Sequence, residues 1–148
     1  MRLLIDTNVL VDYFGGRHPF CEEWELINAM QIAGYAELWA SAESYTDAFY
    51  LLHKAVGSAR LQEMFVESLE CIRVCSLGEE DICEAAGRSW DDFEDCLIDV
   101  CAEKVKADYI ITRDKSGFSR SKIPAYAPKA FFEHLEHDHG LVFELTDF

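Results

Sequence analysis

Arg2-Leu3-Leu4-Ile5-Asp6-Thr7-Asn8 opens the chain with a short apolar run closed by an aspartate. Consecutive large aliphatic residues leave the run no polar side, so it reads as a strand buried on both faces. Such a strand needs helices above and below it, and the sequence that follows supplies them. Thr7 is placed to cap a helix that runs to about Phe14, where Gly15-Gly16 stops it. Pro19 starts a second helix, with Phe20, Trp24, Ile27 and Met30 at helical spacing and an end near Gly34. Glu37-Leu38-Trp39-Ala40 reads as the second strand, and Ser41 as the cap of a helix whose stripe is Tyr45, Ala48, Phe49, Leu52 and Val56. Gly57-Ser58 begins another helix, through Leu61, Phe65 and Leu69.

The alternation continues to the end of the chain. Cys71 to Leu77 reads as a third strand, followed by a short helix from Glu79 to about Gly87. A helix from Asp92 turns Phe93, Cys96, Leu97, Val100 and Cys101 to one side. Tyr109-Ile110-Ile111-Thr112 is a fourth strand, a short fifth lies near Tyr126, and a last helix runs from Pro128 to just before Gly140. Helices alternating with doubly apolar strands predict an α/β fold, a three-layer α/β/α sandwich around a parallel sheet with right-handed crossovers. With 148 residues and no repeat or linker, the reading is a single domain spanning 1–148.

Bulk composition narrows the setting. No apolar run reaches the ~18 residues of a membrane-spanning helix, and an aspartate interrupts the N-terminus where a signal peptide stays apolar. A cytoplasmic protein is expected. The six cysteines form no C-x-x-C pair and sit mostly in apolar patterns, so they read as reduced, buried thiols. His134, His137 and His139 lie at the end of the last helix, where positive character suits the helix dipole. Against 28 acids stand 13 bases, a formal net charge of -15, which repels polyanions.

In open parallel sheets, ligands bind beyond the C-terminal ends of the strands. Asp6 ends the first strand and Asp114 follows the fourth, positions where an aspartate is also a common turn residue. Two helices add acids. Glu43 and Asp47 share one face of the helix after Ser41, and Asp92, Asp95 and Asp99 share one face of the helix from Asp92. A solvated helix face is the ordinary explanation. Those faces also hold Tyr50, Leu51, Ile98 and Ala102, so the acids need not point at open water. Buried together they would repel, and a divalent cation is the natural partner. Mg2+ or Mn2+ takes oxygen ligands and keeps positions open for water and phosphate. No G-x-x-x-x-G-K phosphate loop and no G-x-S-x-G elbow is present.

Ile5-Asp6-Thr7-Asn8, Asp95 on a late helix, and Ile111-Thr112-Arg113-Asp114 followed by Phe118 together resemble the PIN-domain superfamily. The close, Ile123-Pro124 with Pro128 and Phe131-Phe132, is similar too. The resemblance implies strand order 3-2-1-4-5, a Mg2+- or Mn2+-dependent ribonuclease, and often the toxin of a toxin–antitoxin pair. It thereby implies an RNA substrate, an antitoxin partner and a homodimer. Asp6, Asp95 and Asp114 match the family's first, third and fourth acids, with Asn8 and Thr112 in supporting positions. At the second position the family has glutamate. Here Asp47 matches, one methylene shorter, with Glu43 one turn earlier in reserve and Asp99 an extra acid that could support the set.

Segment 113–122 carries Arg113, Lys115, Arg120 and Lys122 against a single acid, and such bases could meet RNA phosphates or simply balance charge. The rival reading is a PIN-fold module that binds another protein with weak or no nuclease activity, favoured by the acidity and by the shorter Asp47. A phosphatase of the kind that carries D-x-D after its first strand ranks last, since Asp6 is followed by Thr7 and Asn8.

Overall fold

The computed structural model describes residues 1–144. Five parallel strands, β1 (Arg2–Ile5), β2 (Glu37–Ser41), β3 (Ile72–Cys75), β4 (Tyr109–Ile111) and β5 (Ala125–Tyr126), form one sheet in the order β3-β2-β1-β4-β5. Seven α-helices cover it: α1 (Thr7–Gly15), α2 (Phe20–Ile32), α3 (Ala42–Val56), α4 (Ser58–Ser68), α5 (Glu79–Arg88), α6 (Phe93–Lys104) and α7 (Pro128–His139). This is the three-layer architecture expected from the sequence pattern, with the strand order that the resemblance implies. Among the described residues no helix is long and apolar enough to cross a membrane.

The pleat explains why the strands are apolar on both sides. Leu3 and Ile5 point into a large core built with α1, α2, α3, α4 and α7, which includes Leu10, Phe14, Ile27, Met30, Leu52 and Phe131. Leu4 points the other way, into a smaller core with Ile98, Cys101, Ala102, Ile110 and Phe118. Strand β1 is thus buried between two helical layers and shielded from water on both faces. Its register places Leu3 beside Tyr109, Leu4 beside Ile110 and Ile5 beside Ile111. Asp6 and Thr112, the next residue of each strand, therefore come out side by side.

Several boundaries differ from the sequence reading. The cap of α1 is Asp6, not Thr7: Asp6 keeps extended backbone angles and its carboxylate accepts from Thr7 N at 2.7 Å. The aspartate has the better acceptor, and the strand must still be extended at that residue. Ser41 caps α3 as expected, accepting from Glu43 N at 3.2 Å. Strand β3 is shorter than Cys71–Leu77, because Cys71 still belongs to the turn that closes α4. A 3-10 turn, Lys115–Phe118, follows β4 where no element was expected. All six cysteines are free, but only Cys75, Cys96 and Cys101 are buried, with Cys83 exposed and Cys21 and Cys71 half-buried.

Helix α6 is the most enclosed of the seven, since Cys96 through Ala102 are all buried without a break. Ile98 has no exposed surface and bridges α6 to β1 and β4. Ile98→Ala is expected to destabilise the fold by about 2–5 kcal/mol, the range for a large aliphatic side chain removed from a packed core. Urea unfolding of the two proteins checks this, with a change in midpoint and an unchanged slope.

Candidate metal centre

The C-terminal ends of β1 and β4 meet through the Asp6 carboxylate. Asp6 is buried, 3% exposed, yet both of its carboxylate oxygens are engaged. One accepts from Thr7 N at 2.7 Å. The other accepts from Thr112 Oγ1 at 2.7 Å and from Asn8 Nδ2 at 2.9 Å. Asn8 completes the join by accepting from Arg113 N at 3.0 Å through its Oδ1. Asn8 and Thr112 therefore hold Asp6 in one orientation while locking β1 to β4.

A cleft of about 300 Å³ opens beyond these strand ends, lined by Asp6, Thr7, Asn8, Asp92, Glu94, Asp95, Asp114, Arg17 and Arg113 together with Val11 and Leu51. Asp95 and Glu94 reach it from the first turn of α6, which Asp92 caps by accepting from Glu94 N at 2.9 Å and Asp95 N at 3.2 Å. Asp114 reaches it from the turn after β4, where its Oδ1 accepts from Ser116 Oγ at 2.6 Å and Gly117 N at 3.3 Å. From the α3 side, Asp47 acts electrostatically on Glu43 and on Glu94, and Glu94 acts on Glu43. One Glu43 carboxylate oxygen is buried without a hydrogen-bond partner.

The charges in this cleft are frustrated. Burial pushes the Asp95 carboxyl up to about 7, and the neighbouring Asp6, Asp92, Glu94 and Asp114 push the same way. Burial also raises Asp6, to about 6, against the hydrogen bonds from Thr112 and Thr7 that favour its charged form. Glu94 and Glu43 are raised as well, burial first in both; in Glu94 a hydrogen bond from Thr7 opposes it before Asp47 and Asp92 add to it, and in Glu43 Asp47 and Glu94 add to it. Asp114 moves the other way, because the Ser116 hydroxyl and the Gly117 amide stabilise its charge. Every titrating side chain on the acidic wall is a carboxylate, so the donor set is all oxygen and fits a hard cation. Among the described residues no three acidic, imidazole or thiol side chains already stand close enough to close on one ion.

Asp6, Asp95 and Asp114 thus line one cleft, whereas Asp47, expected as the second acid, and Glu43 do not line it and are felt there only as nearby charge. Asp99 does not join them. It lies one turn further along α6, 1% exposed, bonded to Arg88 Nη1 at 2.8 Å and to the Ser121 hydroxyl. Its work is to tie α6 to α5 and to the loop that follows Asp114. Of the four bases in 113–122, only Arg113 borders the cleft, and it is already engaged: its Nε meets Asp12 at 2.6 Å and its guanidinium covers the Phe20 ring. Arg120 donates to the carbonyls of Arg88 and Ser89 at the end of α5. Lys115 lies over the Tyr126 ring, and Lys122 lines a separate pocket with Trp90 and Arg88. His134 and His139 converge on the Tyr109 hydroxyl at 3.2 and 3.4 Å, far along the chain's last helix.

Three participants escaped the sequence reading. Glu94 was passed over because the i, i+3, i+4 spacing picks out Asp92, Asp95 and Asp99. The usable signal is position: Glu94 stands next to Asp95 in the first turn of α6, directly after the Asp92 cap. Arg17 lies in the loop after α1 and brings the second cationic group to the rim. Asp12 is a buried partner for Arg113, visible only once α1 and the turn after β4 are packed together.

A sequence profile described as "PIN domain" matches residues 2–116. No curated protein sequence matches the chain. Solved structures share the fold at low identity. VapBC2 from Rickettsia felis, bound to a DNA fragment from their promoter, is 15% identical with a TM-score of 0.63, covering 86% of this chain and 98% of that one. A toxin-antitoxin complex from Klebsiella pneumoniae is 21% identical with a TM-score of 0.61, covering 85% and 97%. FitAB bound to an IR36 DNA fragment is 19% identical with a TM-score of 0.64, covering 85% and 94%.

The raised carboxyls make a linkage test. A carboxylate whose folded pKa lies above its unfolded value binds protons more tightly when folded, so it costs stability as pH climbs from about 4 through the folded value. With Asp6 near 6 and Asp95 near 7, the metal-free protein should lose thermal stability as pH rises from about 4 to about 7. Asp95→Asn removes one source of that loss. In chelator at pH 8, its melting temperature is expected to lie a few degrees above the parent's, with the difference narrowing below about pH 7 and closing only near about pH 4.

Proposed function

This chain belongs to the PIN-domain family, and on that premise we propose that it is a metal-dependent endoribonuclease acting as the toxin of a toxin–antitoxin pair. The observation that carries the reading is the meeting of Asp6, Glu94, Asp95 and Asp114 in one cleft at the ends of adjacent strands, with Asp6 and Asp95 raised by burial and mutual repulsion. Carboxylates gathered at such cost, with neither histidine nor cysteine lining the cleft, suit Mg2+ or Mn2+. Asp6, Asp95 and Asp114 would hold the cation. Glu94 stands beside them, and Asp47 and Glu43 supply negative charge from α3.

The bound cation would lower the pKa of a coordinated water and offset charge growing on a phosphodiester. This chain's own residues set the stage for that chemistry. Asn8 and Thr112 keep Asp6 from turning away, so its ligating oxygens are placed in advance. Arg17 and Arg113 put positive charge at the rim of an otherwise acidic cleft, where an incoming phosphate must pass. Lys115, Arg120 and Lys122 lie away from this rim, so the phosphate contacts proposed for the segment fall to Arg113. RNA as the substrate comes with the family resemblance. The toxin-antitoxin complex of similar fold supports a small antitoxin as partner, and a homodimer belongs to the same reading. We read 1–148 as one domain working in the cytoplasm, where its thiols stay reduced.

A second reading, a PIN-fold module that binds protein and cuts nothing, draws support from the net charge of -15 and from acids not yet closed on one ion. Cleavage of a panel of structured and single-stranded RNAs separates the two, with Mn2+, Mg2+ or chelator and with Asp95→Asn beside the parent. The expected outcome is cation-dependent cleavage that falls about a hundredfold or more in the folded variant. No cleavage with any cation, from folded and partner-free protein, would turn the reading to the binding module.

A further inference from the structure

Gly117 lies in the 3-10 turn that follows β4, and its amide donates to Asp114 Oδ1 at 3.3 Å. A methyl group on its Cα would stand 2.2 Å from Asp95 Oδ2, 3.0 Å from Asp95 Cγ and 3.5 Å from Asp114 Oδ2. The first of these is far inside van der Waals contact. The backbone does not demand glycine here, because Gly117 is not among the glycines with positive φ. What the position requires is empty space, not an unusual torsion.

Neither neighbour can retreat as a whole. The turn is pinned on one side by Phe118, 3% exposed in the smaller core, and by Asp114, which bonds Ser116 and Gly117. Further along, the Ser121 hydroxyl binds the buried Asp99 and accepts from Ile123 N at 3.0 Å. Helix α6 is fixed by the unbroken buried run from Cys96 to Ala102. The only soft element left is the Asp95 side chain, which must change rotamer when anything larger than hydrogen occupies residue 117.

We propose that Gly117 is a positioning residue for the cation: its bare Cα lets the Asp95 carboxylate lie against the turn that presents Asp114, so both can serve one ion. This rests on the metal-site reading above. An alanine would swing Asp95 aside at little cost to the fold and at large cost to cation affinity.

The test is Mn2+ binding by calorimetry to the full-length parent, Gly117→Ala, Asp95→Asn and the double variant, with Gly87→Ala as control. Gly87 lies on α5 with open space around its Cα. Gly117→Ala should weaken Mn2+ binding about 10- to 100-fold, the range for residues that orient ligands. Its melting temperature in chelator should match the parent's within a few degrees, and Gly87→Ala should bind as the parent does. Because the effect runs through Asp95, adding Gly117→Ala to Asp95→Asn should cost nothing further. A parent that binds Mn2+ with a Gly117→Ala variant that binds equally well would overturn the positioning role alone, as would full additivity in the double variant. A parent that binds no Mn2+ would overturn the metal-site reading and this proposal with it.

Discussion

One buried carboxylate governs the rest of the structure. Asp6 must be extended to finish β1, must cap α1, and must meet Thr112 across the join to β4. Those duties leave a charge-bearing group almost wholly withdrawn from water at the floor of the cleft, which costs free energy unless hydrogen bonds or a cation answer it. Three hydrogen bonds answer part of the cost and leave the group raised. Everything else in the cleft is arranged around that residue, with Asp95 and Glu94 delivered by α6 and Asp114 by the turn after β4.

The two helical walls of the cleft are built differently. Helix α6 is buried along its whole middle, so Asp95 is held on a rigid rod whose position is set by Leu4, Ile98 and Ile110. Helix α3 is two-faced. Ser44, Ala48 and Leu52 pack inward while Tyr50 and Leu51 are exposed, and Glu43 and Asp47 lie between these faces. Fixed acids on one side and a partly exposed acidic face on the other give a site with a firm floor and an accessible edge. The ion pairs outside the cleft serve the same end. Arg113 with Asp12 anchors the strand end to α1, and Arg88 with Asp99 and Glu103 anchors α6 to α5.

The parts of this architecture legible in the sequence are those carried by local pattern. Doubly apolar strands such as Leu3-Leu4-Ile5 and helical stripes such as Ala48 and Leu52 demand burial whatever the tertiary contacts, so layers and element types followed. The pair Asp6 and Asp114 was readable because both lie just past apolar runs. Glu94, Arg17 and Asp12 were not, since their roles depend on which loops and helix ends meet in space. Asp99 shows the opposite failure: its spacing from Asp95 placed it with the acids, and it does share their face, but it lies one turn further along, buried and held by Arg88 and Ser121. Gly117 carried no signal at all, because nothing in the sequence says how near Asp95 would lie.

The central claim is that cation binding relieves the repulsion stored between Asp6 and Asp95. Calorimetric titration of the protein with Mn2+ at pH 6.5, repeated in buffers of different ionisation enthalpy, counts the protons released as the ion binds. With Asp95 near 7 and Asp6 near 6, the account expects release of about one proton per ion, declining toward none by pH 8.5. Binding without proton release at pH 6.5 would mean that these carboxylates are already ionised without the cation, and would contradict it.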